Sequence, residues 1–492
     1  MSKNTLIIII VILIIAAVAI SFFTSIKTNN SFTTIVSDDG TEIEVTTNIE
    51  DAIGDDYDFS TNSETIITLN DSNTEISGIG ANATTDENGT TITITSGGVY
   101  RFTGTLTDGQ IMVEASKAKV KIILDNASIT SNSSSALYVY KSSYTIVELA
   151  DNTINTLTDA TSYNYDMTNS SSEDKDPNAA LYSKSDLIIM GNGTLNINAN
   201  YSNGIIGKDN LKIVDATINI KAKNNGINGK DSAIIKDATI TIDAKGDGLR
   251  STNGTINILS GNITISVGDD AIHAYDSIVI VTGNISIPKS HEGLEADNIN
   301  IYDGNIDITA DDDGINVGVG NTSGDHKLVI KGGNIVVNSD GDGLDSNGDI
   351  EMSGGNVIVY GSTRSDNSAI DYDGTFNITG GTLIAVGSYG MAMSPSSSSS
   401  QKSVMYNVSS QDAGSEITLK DSNENVIASV ISKKAFSNIV VSTPEIEENG
   451  DYTLYIDGVE TTVNATTGFG NFGGLGGGRQ GGMKNQESFN KK

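Results

Sequence analysis

The sequence predicts an all-β protein that folds as a right-handed parallel β-helix with about 22 residues per rung. Three observations support this fold: the composition, a small-residue marker that recurs at a nearly constant interval, and short segments in which apolar and polar residues alternate. The composition includes 52 glycines, 4 prolines and no tryptophan. It favours strands joined by tight turns over helices.

The marker is a small residue followed by Ile or Leu. Its copies are Gly204-Ile205, Gly226-Ile227, Gly248-Leu249, Ala271-Ile272, Gly293-Leu294, Gly314-Ile315, Gly343-Leu344 and Ala369-Ile370. A two-residue turn, such as Asp215-Ala216 or Gly332-Gly333, recurs at nearly the same interval. Repeats of this length that stack on one another form a solenoid. We expect the marker to tolerate only Gly or Ala, because a stacked backbone or a left-handed turn leaves no room for a larger side chain.

Short alternating segments lie between the markers. Examples are Thr217–Ile220, Thr239–Ile242, Asn262–Ile265 and Asn305–Ile308. Alternation with a period of two predicts strands with one buried and one solvated face. Three short strands per repeat leave too few residues for a crossover helix, so the chain must coil and stack its rungs at about 4.8 Å.

The segments outside the repeat complete the domain organisation. An apolar run from Leu6 to Ile20 is about long enough to span a bilayer, whereas Ala17-Val18-Ala19 could be a signal-peptidase site. Either alternative predicts export to the cell surface or the extracellular medium. The predicted divisions are residues 1–26, a signal peptide or membrane anchor; 27–60, an acidic linker; 61–400, the β-helix; 401–465, a small β cap; and 466–492, a glycine-rich disordered tail.

The charge and the cysteine count exclude several functions. The chain has 62 acidic and 29 basic residues, a formal net charge of -33 and no cysteine. This charge repels nucleic acid and attracts divalent cations. Without cysteine, stability outside the cell must come from a large core or from a bound metal. Three histidines and no thiol make a zinc or copper site a poor fit.

Equivalent positions of successive rungs form columns, and two columns are rich in acid. The residue before the marker is acidic in five consecutive rungs, and the position two after the small residue also carries acids. Two carboxylates one rung apart repel by roughly 3 kcal/mol at an effective dielectric constant near 20, which calcium would reverse. Solvated turns are the alternative interpretation. The predicted calcium ligands are Asp247, Asp269, Asp270, Glu292, Glu295, Asp311, Asp312, Asp313, Asp340, Asp342 and Asp345.

Aromatic and cationic side chains near these columns are the predicted glycan-binding residues. They are Tyr138, Tyr182, Arg250 and His273. Tyr138 and Tyr182 hold matching positions after the marker, so their rings either stack on an outer face, where a sugar could bind, or pack under a loop.

The rungs Asn225-Gly226-Ile227, Asp247-Gly248-Leu249 and Asp313-Gly314-Ile315-Asn316, with the terminal cap and the glycine-rich tail, resemble a known family. It is the bacterial and archaeal cell-surface carbohydrate-binding β-helix family, which is similar in fold to pectate lyases. The resemblance implies a right-handed helix, a polysaccharide ligand and calcium as a cofactor. It does not by itself transfer an enzymatic activity.

Three functions follow from these observations. A calcium-dependent polysaccharide-binding protein is the leading hypothesis, and a calcium-dependent lyase of uronate-containing glycans and a structural adhesin or spacer are the alternatives. A lyase needs a base beside the metal, and the candidates are Lys230, Arg250 and Lys289. Each of them is better explained as a surface residue that balances charge.

Overall fold

The computed structural model describes strands Thr33–Val36 and Glu42–Val45, residue 59, and residues 63–164, 176–318 and 326–465. The predicted signal or anchor at 1–26, most of the linker at 27–60 and the tail at 466–492 lie outside the described residues. The described ranges contain strands and no helix, so none of their segments is a helix that could cross a membrane.

Longer segments follow Thr158 and Gly387, whereas short turns join most of the strands. The first are β1 (Thr33–Val36), β2 (Glu42–Val45), β3 (Glu64–Leu69), β4 (Glu75–Ser77), β5 (Ala81–Asp86), β6 (Gly89–Ile94), β7 (Gly98–Leu106), β8 (Gly109–Glu114), β9 (Lys119–Thr130), β10 (Leu137–Lys141), β11 (Tyr144–Leu149), β12 (Ile154–Thr158), β13 (Ala179–Ser183), β14 (Asp186–Met190) and β15 (Thr194–Ala199). The regular rungs contain β16 (Asn203–Gly207), β17 (Asn210–Val214), β18 (Thr217–Ala222), β19 (Ile227–Gly229), β20 (Ser232–Lys236), β21 (Ala238–Ala244), β22 (Leu249–Ser251), β23 (Thr255–Ile258), β24 (Gly261–Ser266), β25 (Ile272–Ile280), β26 (Asn284–Ser290), β27 (Leu294–Ile301), β28 (Asn305–Ala310), β29 (Ile315–Val317), β30 (Lys327–Ile330), β31 (Asn334–Ser339), β32 (Leu344–Ser346), β33 (Asp349–Met352), β34 (Asn356–Tyr360), β35 (Ile370–Tyr372), β36 (Phe376–Ile378) and β37 (Thr382–Gly387). The C-terminal strands are β38 (Ser403–Gln411), β39 (Glu416–Lys420), β40 (Val426–Ile431), β41 (Phe436–Ser442), β42 (Asp451–Ile456) and β43 (Val459–Asn464).

Parallel pairing between rungs builds a β-solenoid of about 12 turns with a spacing of about 23 residues, which confirms the predicted parallel β-helix. Each regular turn contributes one strand to each of three faces. Face A contains β16, β19, β22, the start of β25 and of β27, β29, β32 and β35. Face B contains β17, β20, β23, the ends of β25 and β27, β30, β33 and β36. Face C contains β18, β21, β24, β26, β28, β31, β34 and β37.

The core is one continuous stack of aliphatic side chains inside the solenoid. Alternate residues of β21 are buried and exposed in strict succession, as the period of two predicts. The Ile and Leu residues of the marker lie in this core, and Leu249, Ile272 and Leu294 stack in register on face A. The residues that flank them in each strand therefore point outward.

The marker glycines are required because neighbouring rungs approach closely. Gly293 does not have a positive φ, so the left-handed turn is not the reason. A Cβ at Gly293 would meet the carbonyl oxygen of Gly314 and would lie 2.5 Å from Ile308 Cγ2. Our expectation that alanine is tolerated at every marker position is therefore wrong for Gly293, because even one methyl group collides there.

We expect Gly293→Ala to destabilise the protein by about 1–3 kcal/mol, the usual cost of overpacking, and Gly293→Val to cost more. Chemical denaturation of the purified full chain measures this. Gly207→Ala is the matched control, since the nearest atom to a Cβ at Gly207 is 3.3 Å away. Equal stability of the parent and Gly293→Val would refute the close approach.

The C-terminal segment covers one end of the solenoid. Strand β41 pairs antiparallel with β37 on face C and with β38. Strands β40, β39, β42 and β43 form a separate four-stranded antiparallel sheet. Its apolar side packs against the outer side of the last rungs of face C, where Tyr360, Ile384 and Val386 join its core. The Lys434 ammonium also lies 2.6 Å from the Asp340 carboxylate of the solenoid.

A serine-rich segment after β37 closes the last strand of face B. The amide of Phe376 donates to Ser396 Oγ at 2.9 Å, and the amide of Ile378 donates to Ser399 Oγ at 3.0 Å. The amide of Ser396 in turn donates to the carbonyl of Phe376. Serine hydroxyls therefore satisfy backbone groups that another strand would otherwise pair with.

Candidate functional site

Two columns of polar side chains run along the outer side of face A. One column precedes the marker, and the other follows the buried Ile or Leu of each rung. Arg250, His273, Glu295, Asn316, Asp345 and Asp371 stand in register in the second column. We call the carboxyl groups of the two columns the acid strip; they are Asp247, Asp270, Glu292, Glu295, Asp313, Asp342, Asp345 and Asp371.

The column before the marker has a structural role that the sequence analysis missed. Asn225 Oδ1 accepts the amide of Asp247 at 3.0 Å, and Asp313 Oδ1 accepts the amide of Asp342 at 2.6 Å. Asp270 Oδ1 accepts an amide of the next rung in the same way, at 3.3 Å. One oxygen of each of these three side chains thus holds the next rung in place. The asparagines at this position in the earlier rungs could have revealed this structural role, because an asparagine side chain is neutral and still supplies the accepting oxygen.

His273 lies between two carboxylates of the strip. Its Nδ1 is 3.2 Å from Asp270 Oδ2 and 2.8 Å from Glu295 Oε2. Burial opposes a charge on the ring, but hydrogen bonds to Asp270 and Glu295 outweigh it and raise the pKa of His273 to about 10. A protonated imidazole therefore partly neutralises this part of the strip.

Farther along the strip, the pKa values of several carboxyl groups are raised. Burial is the largest cause in each case, and neighbouring carboxylates add to it. Glu292 also accepts a hydrogen bond from Asn316 Nδ2 at 3.0 Å. The pKa values are raised to about 9 for Glu292, about 8 for Asp345, about 7 for Asp342 and about 6 for Asp313.

Two overlapping groups in the strip fit a metal ion. Asp247, Asp270 and His273 form one group, and Asp270, Glu292 and Glu295 form the other; within each group the possible ligand atoms lie within 4.8 Å of one another. Asp247 is 0% exposed, and its Oδ1 has no hydrogen-bond partner among the described residues. Asn316 Oδ1 is likewise buried and unpartnered there. Buried oxygens without donors suit a hard cation such as calcium.

The other predicted calcium ligands lie outside the strip. Asp269 and Asp311 are exposed at the turns before face A, and Asp312 is 3.9 Å from His291. Asp340 is also exposed, and its partner is Lys434 of the C-terminal sheet. These side chains are therefore not brought together with the buried carboxylates. Asp371, by contrast, belongs to the second column. Its position directly after the marker Ala369-Ile370 could have predicted this place.

The predicted glycan-binding residues separate into two places. Tyr138 and Tyr182 are paired in register, with ring centroids 5.6 Å apart at 72°. Because they are only 8% and 0% exposed, they offer no flat face to a sugar, which favours the packing interpretation. Arg250 and His273 lie in the strip, where the Arg250 guanidinium forms an ion pair with Asp247.

The fold and the strip define a parallel β-helix protein with a stacked, half-buried carboxylate surface. A family model described as "Carbohydrate-binding domain-containing protein" matches residues 88–296 and 289–447. The chain belongs to this carbohydrate-binding family.

Two individual proteins are similar to parts of the chain. A carbohydrate-binding domain-containing protein of Acetivibrio thermocellus is 40% identical over 132 residues, which are 27% of this chain and 45% of that protein. The chain thus spans less than half the length of this relative. A solved structure described as the polysaccharide lyase-like protein from C. thermocellum, a gadolinium derivative, is 32% identical with a TM-score of 0.45. The likeness covers 49% of this chain and 97% of that one.

Proposed function

We propose that this protein is an extracellular polysaccharide-binding protein of the cell surface and that calcium bound in the acid strip stabilises it. The observation that supports calcium most directly is that two buried oxygens, Asp247 Oδ1 and Asn316 Oδ1, have no partner among the described residues. Asp247 belongs to the first metal group, and Asn316 is paired in register with Glu295 of the second. Membership of the carbohydrate-binding family supports a glycan as the ligand. The apolar run from Leu6 to Ile20 supports export.

The strip's own residues would hold the cation. Asp270 belongs to both candidate groups, so its carboxylate would bridge them, with Asp247 on one side and Glu292 and Glu295 on the other. Calcium would supply positive charge that offsets the mutual repulsion of these carboxylates. Since one oxygen of Asp270 already holds the next rung, a bound cation would tighten the contact between the two rungs.

A calcium-dependent lyase is the second candidate, because Arg250 lies beside the first metal group. A base must accept a proton from the substrate. The guanidinium is engaged in the ion pair with Asp247, so this arginine would have to leave Asp247 before it could act. This requirement favours the binding function.

The full chain in mild detergent tests the proposal. We expect calorimetric titration to show calcium binding, and we expect retention on at least one polysaccharide to weaken when a chelator is added. Incubation with polygalacturonate tests for lyase activity, because the unsaturated product of a lyase would absorb ultraviolet light. Absence of calcium binding and of retention on every polysaccharide would refute the proposed function.

A further inference from the structure

The outer side of face C carries one polar residue per rung over a long distance. Strand pairing places these residues in a single column, which we call the polar strip: Thr156, Asn196, Asn219, Thr241, Thr264, Ser286 and Asp307. The next residue of the column is Val336. At about 4.8 Å per rung the polar strip is about 29 Å long. That length suits a polymer better than a single sugar.

Two grooves border the polar strip, one on each side of it. One has a volume of about 370 Å³, lies on the side of Asn198 and extends as far as Thr241. The other has a volume of about 460 Å³, lies on the side of Asn284 and begins beside Thr264. Thr241 and Thr264 are paired in register, so a chain that occupied both grooves would cross the polar strip between these two adjacent rungs.

A ladder of amides borders the larger groove. Asn284 Nδ2 donates to Asn262 Oδ1 at 2.8 Å, Asn305 Nδ2 donates to Asn284 Oδ1 at 2.8 Å, and Asn334 Nδ2 donates to Asn305 Oδ1 at 3.1 Å. Each amide that both donates and accepts in the ladder keeps a second N–H and a second carbonyl lone pair. The ladder fixes the orientation of these groups, which lowers the cost of ordering them around a ligand.

The charge of this face differs from that of the whole chain. Asp307 is the one ionisable side chain that lines the larger groove, although the chain has a net charge of -33. The smaller groove adds Lys221 and Asp243, which offset each other. Amides and hydroxyls without net charge bind hydroxyl groups, and Asp307 would repel a carboxylate placed here.

The C-terminal sheet borders the groove at its far end. Val336 packs against the core of that sheet. Val336 also lines the larger groove, where its side chain is partly exposed. A partly exposed aliphatic side chain in a polar groove offers the apolar contact that the C–H face of a sugar ring needs.

We propose that an uncharged, hydroxyl-rich glycan chain binds along the polar strip of face C, apart from the acid strip of face A. The inference rests on the proposed polysaccharide-binding function and gives it a surface and a ligand class. The polar groups of the strip repeat at the rung spacing, so a linear glycan would meet the same kind of contact at each step. The acid strip then stabilises the solenoid without touching the sugar.

Ser286→Glu in the full chain tests this surface, because it places a long charged side chain in the larger groove at an exposed strand position. Ser77→Glu is the matched control, since Ser77 is also an exposed strand serine and lies outside the grooves. Native gels containing hydroxyethylcellulose, galactomannan or polygalacturonate measure the retardation of each variant. We expect at least one neutral polysaccharide to retard the parent and Ser77→Glu, and we expect Ser286→Glu to bind it at least tenfold more weakly.

The stabilisation by calcium should be the same in all three proteins, which would exclude misfolding as the cause. Equal retardation of Ser286→Glu and the parent would overturn the assignment of the surface and leave the binding function standing. Retardation of the parent by polygalacturonate alone would overturn the ligand class. If none of the polysaccharides retards the parent, the proposed function fails together with this inference.

Discussion

Calcium is expected to raise the melting temperature of the parent protein, and Asp270→Asn combined with Glu292→Gln is expected to remove most of that rise. A cation that binds only the folded state stabilises it by about 2.7 kcal/mol at one hundred times its dissociation constant. The two substitutions keep the hydrogen-bonding oxygens that accept the Glu292 amide and Asn316 Nδ2. They remove the two carboxylate ligands that the proposed cation needs. Differential scanning calorimetry with calcium and with chelator measures the effect.

The control for this variant is Asp311→Asn with Asp312→Asn. It also removes two acidic charges, but from a turn outside the buried strip. We expect the control to keep the full response to calcium. If the Asp270 and Glu292 variant responds as strongly as the parent, the calcium site is not in the acid strip.

The metal-free protein is expected to lose stability as the pH rises from about 4.5 to about 9. Burial raises the pKa of Glu292 from its ordinary value of 4.5 to about 9 in the folded state, so in this interval the folded protein holds a proton that the unfolded chain has released. Each such proton lowers the free energy of unfolding by about 1.4 kcal/mol per pH unit. Asp345, Asp342 and Asp313 act in the same direction over narrower intervals.

His273 adds to this loss at the alkaline end. Its folded pKa of about 10 lies above the ordinary value of 6.5, so its contribution is complete below pH 6.5 and disappears as the pH rises through 10. Carboxyl groups whose pKa is lowered, such as Asp421, titrate below 3.8 and do not oppose the trend. Urea denaturation in chelator at several pH values measures the slope, and Glu292→Gln should reduce it. A stability that increases with pH over this interval would contradict the raised pKa values.

The repeat and the stacking of the acid columns could be predicted because both follow from sequence period alone. A rung places Asp270 beside Glu292 in any parallel β-helix with this spacing, whatever the details of its turns. The backbone role of Asp270 Oδ1 could not be predicted in the same way. It depends on the direction in which one amide of the next turn points, and the period carries no information about that direction.

Contacts between distant parts of the chain were also beyond sequence reasoning. Asp340 matches its acidic neighbours in sequence, but Lys434 is 94 residues away and reaches it only because the C-terminal sheet folds back along the solenoid. The burial of Tyr182 likewise depends on the side chains that surround it in the folded protein. The Thr, Asn and Ser residues of face C were visible as the exposed half of an alternating pattern, and only the structure shows that grooves run along them.

The serine segment at the last strand of face B has a consequence for assembly. An uncovered end of a parallel stack is a template, since the first strand of another copy could add to it and present a new end. Such head-to-tail addition has no natural limit and would produce fibres. Ser396 and Ser399 accept the amides of face B with side-chain hydroxyls, where a regular strand would use its carbonyl oxygens. This irregular pairing disfavours the addition of another copy at this end of face B.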